Sequence, residues 1–269
     1  MSGWRIKGTL GIAAAVIPFT GLTARGAIIA YENAVVADGA TVYYDFDGAS
    51  PTDVKANTTA VIQGTVTSGA GSAYPALNNA FTFTSGDVRI AHTGSFPFDQ
   101  GTGAFTIEMW YFSNSTARGD LFNYKGGSSD MGVFKNLNGT ANNSYYHSAL
   151  IADAPANSAT DNTWHHLAVT RTAAGAVTIY RDGTSIATGT DTASISNTVD
   201  VLIGSNYGAN QSTPAIPFNG LIDEFAFYPV ALTQTQINNH IALAVPEPGT
   251  IGLLSLCATG LLSRRRRLA

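Results

Sequence analysis

Residues 164–188 read WHHLAVTRTAAGAVTIYRDGTSIAT, and this stretch decides the fold class. β-Branched and aromatic residues alternate with small or polar ones between two turn signals, a pattern that predicts three short strands in sequence. The Asp-Gly pair at 182–183 supplies the positive φ angles that a two-residue hairpin loop requires. In the first strand Leu167 and Val169 point to one face and Ala168 to the other. Because both faces are largely apolar, the stretch predicts a meander inside a two-layer sandwich.

The composition also indicates an all-β domain. The chain has 269 residues with 28 glycines and only 12% charged residues, which suits many short strands joined by tight turns. Seven of the 14 basic residues lie in the two terminal segments, so the interior holds seven basic against 17 acidic groups. An interior net charge near −10 makes nucleic acid and anionic lipid poor partners.

Further short strands are predicted between clusters of Gly, Ser, Pro and Asn. They cover residues 41–48, 60–67, 80–84, 87–92, 104–112, 120–124, 131–137, 145–151, 201–204 and 218–228. Residues 153–162 are predicted as a polar loop. A short helix is predicted after Thr233 as N-cap, with Ile237 and Ile241 spaced to face the sheet.

Four segments resemble the LamG-like, concanavalin A-like lectin/glucanase jelly rolls. TVYYDFDG at 41–48 is similar to the aromatic-Asp-Phe-Asp strand that opens that family, and AFTIEMWYF at 104–112 is similar to its F-T-I-E-x-W strand. The 164–188 meander resembles its W-H-H-V-A and Y-V-D-G segments, and FNGLIDEFAFY at 218–228 its G-x-I-D-E-V closing strand. The resemblance covers about residues 40–243 and implies a two-sheet antiparallel jelly-roll sandwich.

Residues 1–26 are predicted to be a secretory signal peptide, which would be helical. A short basic region precedes an apolar run at 10–19, and small residues favour cleavage after Gly26. A buried core helix is the alternative, which Pro18 and the glycine-rich flanks disfavour. We therefore expect export, with residues 27–243 as the folded domain.

Residues 244–269 are predicted to be a sorting signal. The apolar run 251–262 would form a short helix of about 18 Å, against a hydrocarbon core of about 30 Å. The segment resembles the PEP-CTERM signal of exopolysaccharide-producing bacteria, which in that family an exosortase cuts; an ordinary tail anchor is the alternative. Its marker residues are Val245, Pro246, Glu247, Pro248, Arg264, Arg265, Arg266 and Arg267. We expect transient membrane association, then release to the cell surface or extracellular matrix.

The only cysteine of the chain, Cys257, lies in this tail. The domain therefore has no disulfide, no cysteine nucleophile and no cysteine metal ligand.

No catalytic residue is predicted. The glucanases of this superfold carry an E-x-D-x-x-E run whose carboxylates share one face, and the chain has no such run. Asp223 and Glu224 are strand neighbours, so alternation predicts that they point to opposite faces. Glu108 is interpreted as a structural acid, and His165 and His166 as packed, hydrogen-bonded residues. The alternatives to a non-catalytic domain are an unusual glycoside hydrolase and a purely structural matrix protein.

The family resemblance implies sugar binding by stacked aromatic rings and amide groups. The candidates are Tyr145 and Tyr146, together with Tyr207 in a loop that also contains Asn206 and Asn210. Because the domain is acidic, we expect a neutral or amino-sugar-containing extracellular polysaccharide rather than a polyanionic one.

A Ca²⁺ ion is predicted where the first and last strands of the jelly roll meet. Its candidate oxygen donors are Asp45, Asp47 and Asp223, which would repel one another without a cation. The alternative is that these acids accept hydrogen bonds from backbone groups.

Overall fold

The computed structural model describes residues 20–74, 77–126, 129–137, 139, 142–155, 162–206 and 215–245. Within these residues the chain forms thirteen antiparallel strands and two helices. The elements are α1 (Thr20–Ala37), β1 (Val42–Tyr44), β2 (Ala60–Gly71), β3 (Asn79–Ile90), β4 (Phe105–Phe112), β5 (Gly119–Gly126), β6 (Ser129–Lys135), β7 (Asn143–His147), β8 (Leu150–Asp153), β9 (Trp164–Arg171), β10 (Ala176–Arg181), β11 (Thr184–Thr190), β12 (Val201–Ile203), β13 (Gly220–Tyr228) and α2 (Gln234–Ala244).

The strands form two packed layers that share the long β2–β3 hairpin. The first layer has the order β11-β10-β9-β4-β13, and the second has the order β12-β5-β6-β7-β8. One half of β3 pairs with β13 and the other half with β12, so this strand passes from the first layer to the second. The architecture is the predicted all-β antiparallel sandwich.

Two glycines allow the β2–β3 hairpin to bend between the layers. Gly64 lies opposite Gly86, and β2 and β3 approach each other closely at that pair. A Cβ atom at Gly64 would lie 2.5 Å from the Ser85 carbonyl oxygen, and one at Gly86 would lie 2.3 Å from that of Gln63. Any larger residue would therefore force the two strands apart at the bend.

The main hydrophobic core lies between the two layers. From the central meander it receives Leu167 and Val169, while Ala168 lies on the opposite face, as the alternation predicts. Phenylalanine and tyrosine rings fill much of the remaining volume, including Phe98, which packs on Phe227 with a centroid distance of 4.5 Å.

A second hydrophobic cluster lies on the outer face of the first layer, where α1 and α2 cover it. Tyr31 and Val35 of α1 and Ile237 of α2 are fully buried there. Thr233 caps α2 as predicted, and its backbone N–H donates to the side-chain oxygen of Gln236, which completes a capping box. No helix was predicted immediately beyond Gly26, the residue after which signal-peptide cleavage is expected, but helix α1 continues through this residue to Ala37.

Four of the predicted strands are shortened, joined or divided in the structure. Residues 41–48 pair only at Val42–Tyr44, because Phe46 has a φ of 54° and turns the chain out of the sheet. Residues 80–84 and 87–92 belong to the single strand β3. Residues 145–151 instead form parts of β7 and β8, because Ser148 adopts a φ of 58° and reverses the chain.

Candidate functional site

A cavity of about 360 Å³ opens on the outer face of the second layer. Strands β5, β6 and β7 position its floor, where Asn123, Gly132 and Tyr146 lie side by side in register. Because Gly132 has no side chain, the tip of the Phe134 ring lies directly over it, on the same face as the amide of Asn123 and the ring of Tyr146. The cavity is lined by Arg118, Asn123, Lys125, Asp130, Phe134, Leu137, Tyr146, Leu150 and Asn206.

The aromatic side of the cavity is built from Phe134 and Tyr146. Phe134 is almost completely buried, and its ring meets that of Tyr146 edge-on at a centroid distance of 6.3 Å. The Arg118 guanidinium lies 4.9 Å from the centre of the Phe134 ring. Phe134 is therefore held in place, whereas Tyr146 is only half-buried and offers a ring to a ligand.

The charged groups at the cavity are neutralised by one another. The Arg118 Nε and Nη2 atoms donate to the two carboxylate oxygens of Asp120 at 2.9 and 3.1 Å. Burial raises the pKa of Asp120 to about 6, although Arg118 opposes the shift. The Lys125 Nζ atom lies 3.2 Å from an Asp130 carboxylate oxygen. Among the described residues that line the cavity, both basic side chains are therefore already paired with a carboxylate and not available to an anionic ligand.

Two amide oxygens of residues that line the cavity have no hydrogen-bond partner among the described residues. Asn123 Oδ1 and Asn206 Oδ1 are both buried, on residues that are 1% and 6% exposed. A buried carbonyl oxygen without a donor costs about 1–3 kcal/mol. These two atoms would therefore be stabilised by a ligand that donates hydrogen bonds into the cavity.

The structure places the predicted sugar-binding residues differently. Tyr146 and Asn206 both line the cavity. Tyr145 is fully buried in the core and its hydroxyl donates to Asp191 at 2.7 Å, so it is not available as a stacking platform. Tyr207 and Asn210 lie outside the described residues. The sugar-binding role of Tyr146 and Asn206 stays a prediction.

A second candidate site contains the carboxylates of Glu32, Asp45 and Asp47. One oxygen from each lies within 4.8 Å of the others, and all three residues are half-buried. Burial and the charges of Asp45 and Asp47 raise the pKa of Glu32, and burial also raises that of Asp45. The prediction of a Ca²⁺ site stays a prediction, with Glu32 of α1 as a donor that sequence reasoning missed.

Asp223 does not belong to this group of three. It is fully buried, and it accepts hydrogen bonds from Ser72 Oγ and from the Glu224 backbone N–H. Burial and the nearby charges of Asp47 and Asp45 raise its pKa well above the ordinary value. Its carboxylate is therefore occupied by protein donors.

The expectation that Asp223 and Glu224 face apart was wrong. Ile222 and Phe225 both point into the core, while the two acids between them both point outwards. The register of β13 shifts at this point, and Glu224 has a φ of 54°, which is a β-bulge that sequence alternation does not anticipate.

Glu108, His165 and His166 have the hydrogen-bonded structural roles that were expected, and His240 joins them as a further partner. Glu108 Oε1 lies 2.7 Å from His166 Nε2 and 2.9 Å from His240 Nδ1, and its Oε2 accepts the Tyr228 hydroxyl at 2.7 Å. His165 Nδ1 lies 2.7 Å from an Asp182 carboxylate oxygen. These three partners of Glu108 come from β9, α2 and β13, so this acid of β4 links helix α2 to the first layer.

Comparison with known families gives two matches. Residues 78–238, more than half of the chain, match the concanavalin A-like lectin/glucanases superfamily. The chain belongs to this superfamily. Residues 244–267 of this concanavalin A-like protein match the PEP-CTERM protein-sorting motif. The protein is therefore exported and sorted to the cell surface, and the motif implies processing by an exosortase-type enzyme.

Solved structures share the fold of this concanavalin A-like protein at low sequence identity. Domain 4 of AbnA, a GH43 extracellular arabinanase from Geobacillus stearothermophilus solved with arabinotriose, is 20% identical with a TM-score of 0.60, over 77% of this chain and 98% of that one. The receptor-binding domain of botulinum neurotoxin C/D mosaic serotype is 12% identical with a TM-score of 0.58, over 76% of this chain and 51% of that one. The chain thus spans about half of that toxin domain. No curated protein matches the sequence.

Over their described lengths, helices α1 and α2 do not have the features of a membrane-spanning helix. Among the described residues, none of them combines the length and the apolar character that a membrane span needs.

Proposed function

We propose that the protein binds a neutral extracellular polysaccharide at the cell surface and does not cleave it. The observation that carries this proposal is the cavity on the second layer, which is lined by the half-buried Tyr146 ring and by two residues with buried amide oxygens without described partners. Sugar rings stack on aromatic side chains, and their hydroxyl groups donate hydrogen bonds to acceptors of this kind. A volume of about 360 Å³ is at the lower end of the range for small-ligand sites and suits one or two sugar units.

The charges of the cavity support a neutral ligand. Arg118 is already bound by both oxygens of Asp120, and Lys125 is paired with Asp130. An incoming carboxylate or sulfate would have to break one of these pairs and would also approach a domain with an excess of acidic groups. Hydroxyl or amide donors of a neutral glycan avoid both costs.

The position of the cavity also supports binding at a surface. The sorting motif begins at Ala244, the last residue of α2, and α2 lies on the outer face of the first layer. The cavity lies on the outer face of the second layer, across the core from α2. A protein held through its sorting motif therefore presents the cavity away from the point of attachment.

The carboxylates support binding without hydrolysis. The adjacent pair Asp223 and Glu224 is at most 2% exposed, so a glycan has no access to it. At the cavity, Asp120 is fully buried behind Arg118, which leaves Asp130 as the one carboxylate among the described lining residues. Glycoside hydrolysis ordinarily requires two carboxylates that flank the same bond.

Replacing Tyr146 by alanine is expected to weaken glycan binding about tenfold, because one stacking contact is worth about 0.5–1.5 kcal/mol beyond its buried area. A glycan array identifies the ligand, and titration of the best glycan measures the change. Tyr180 is a suitable control, since it is a half-buried tyrosine on β10 in the other layer. A Tyr180→Ala variant should bind normally. Release of reducing sugar from the bound glycan would instead favour the unusual glycoside hydrolase.

The three carboxylates near α1 lead to a second proposal, that Ca²⁺ binds at Glu32, Asp45 and Asp47. Hard carboxylate oxygens are the donors that Ca²⁺ prefers, and their mutual repulsion would be relieved by the ion. Asp47 Oδ1 already accepts the Asn79 backbone N–H at 2.9 Å, which fixes one carboxylate for a ligand role.

Saturating Ca²⁺ is then expected to raise the melting temperature by about 5–10 °C, because a ligand at 100 times its Kd stabilises by about 2.7 kcal/mol. Chelator should reverse the shift, and Asp47→Asn should abolish it. Asp130→Asn, which removes an acid on the other layer, should leave it intact. An unchanged melting temperature in chelator and in excess Ca²⁺ would contradict the proposal.

A further inference from the structure

Strand β2 has an open edge. Among the described residues it is hydrogen-bonded only to β3, so its other edge carries no strand. The opposite side of the sandwich is closed, because β11 packs against β8 so tightly that a Cβ atom at Gly189 would lie 2.1 Å from the Ile151 carbonyl oxygen. The sandwich therefore has one closed side and one side that exposes backbone groups.

The first half of β2 lacks the usual protection of an edge strand. Native edges are commonly blocked by lysine, proline or a bulge. Residues 56–86 contain no charged side chain. The register of β2 is regular from Ala60 to Thr65 and shifts only beyond that residue. Val61 is 57% exposed, the highest value for a large hydrophobic side chain among the described residues.

The hydrogen-bond pattern shows which backbone groups face outwards. The Ala91 N–H donates to the Thr59 carbonyl at 3.1 Å, and these two residues lie opposite each other in the β2–β3 register. Antiparallel pairs alternate between bonded and non-bonded positions. Ala60 and Ile62 therefore direct their N–H and C=O groups to the open edge, while their side chains pack towards the core.

We propose that a second copy of this chain pairs with β2 along this edge, antiparallel and about a twofold axis at Val61. Ala60 of each copy then lies opposite Ile62 of the other, and four backbone hydrogen bonds form. The two Val61 side chains meet in the close, non-hydrogen-bonded position of the ladder. The sheet of one molecule continues into the next.

The charge distribution favours a second copy as the occupant. Each domain carries an excess of about ten acidic groups, so two copies repel each other over most of their surfaces. Strand β2 has no charged side chain, and Asp87 and Arg89 beside it on β3 lie 3.9 Å apart with opposite charges. Two acidic molecules can therefore approach at this edge, and a twofold axis makes the edge complementary to itself. The contact is small, so we expect a weak dimer that forms at high surface density and doubles the number of cavities per particle.

A cysteine at position 61 tests this arrangement directly. Non-hydrogen-bonded partners have Cα atoms about 4.5 Å apart, within the range of a disulfide. In the full chain with Cys257→Ser, purified in mild detergent, Val61→Cys should form a disulfide-linked dimer under mild oxidation at least tenfold faster than Val230→Cys. Val230 is also an exposed valine, at 44%, and lies beyond β13. Gln63→Cys should also react slowly, because its partner in the pairing is Thr59.

Sedimentation of the cysteine-free chain provides an independent measurement. We expect concentration-dependent dimerisation that Val61→Lys weakens at least tenfold, because two lysines would meet at the axis, and that Val230→Lys leaves unchanged. Equal cross-linking at positions 61 and 230 would overturn the proposal. So would a chain that stays monomeric at every concentration, even if glycan binding at the cavity is confirmed.

Discussion

Replacing Glu108 by glutamine is expected to destabilise the protein by about 3–5 kcal/mol, the usual cost of removing one partner from a buried ion pair. Glu108 is fully buried and bonds to His166, His240 and Tyr228. The other ring nitrogen of His240 lies 3.1 Å from an Asp38 carboxylate oxygen, so both nitrogens face acceptors. Glutamine would leave a buried imidazolium without its main counter-charge. Urea unfolding of the full chain measures the loss.

The pH dependence of stability should change in the same variant. Burial favours neutral Glu108, but the charge of His240 and the hydrogen bonds from both histidines hold the pKa of Glu108 well below its ordinary 4.5. Its contribution is thus present above pH 4.5 and lost as the pH falls. Burial opposes a charged His240, yet Glu108 and Asp38 raise its pKa above 6.5. The stabilisation from charged His240 is complete below pH 6.5 and is lost as the pH rises through the raised pKa. In the Glu108→Gln variant, both the loss of stability at low pH and the loss at high pH should be smaller.

An acid–histidine pair whose carboxylate is half-exposed provides the matched control. Asp182 bonds to His165, but its side chain is 48% exposed. Asp182→Asn keeps a residue that tolerates the positive φ of 51° at this hairpin. It should cost at most about 1 kcal/mol, because solvent screens the pair. Equal losses for Glu108→Gln and Asp182→Asn would show that the buried network has no special role.

The fold could be predicted because its determinants are local in the sequence. Alternation in β9 assigns Leu167 and Val169 to the core, and the Asp-Gly pair at 182–183 fixes the hairpin. The first pattern depends on the two-residue period of a strand and the second on the turn preference of Asp-Gly. Tertiary contacts do not alter either of them. The capping box at Thr233 is local in the same sense.

The sites could be predicted only in part. They depend on local departures of the backbone from regular strand geometry and on contacts between residues that are distant in sequence. The bulge at Glu224 turns the side chains of Asp223 and Glu224 to one face, and the residue types in this segment do not indicate a bulge. Glu32 reaches Asp45 and Asp47 only because α1 packs on the sheet, and Tyr31 and Val35 gave no clear amphipathic signal for that helix. The cavity depends on Gly132 lying between Asn123 and Tyr146, which requires the register of three strands.

Replacing Gly132 by valine is expected to lower glycan affinity by at least about a hundredfold, or about 2.8 kcal/mol. A Cβ atom there would lie 2.3 Å from the tip of the Phe134 ring. The valine must then displace this ring outwards, into the part of the cavity that a ligand would occupy. The effect should exceed that of Tyr146→Ala, because the ligand loses access to the amide oxygens as well as to the ring.

The substitution at Gly132 should leave the fold intact. Gly132 is not among the glycines with a positive φ, and valine is a favourable strand residue. Overpacking against Phe134 should cost about 1–3 kcal/mol of stability, which near-UV circular dichroism and thermal melting will detect separately from binding. Gly71→Val is the control, since no atom lies within 4 Å of a Cβ there and β2 is remote from the cavity. If Gly132→Val folds and retains its affinity, the glycan binds elsewhere on the protein and the cavity is not the site.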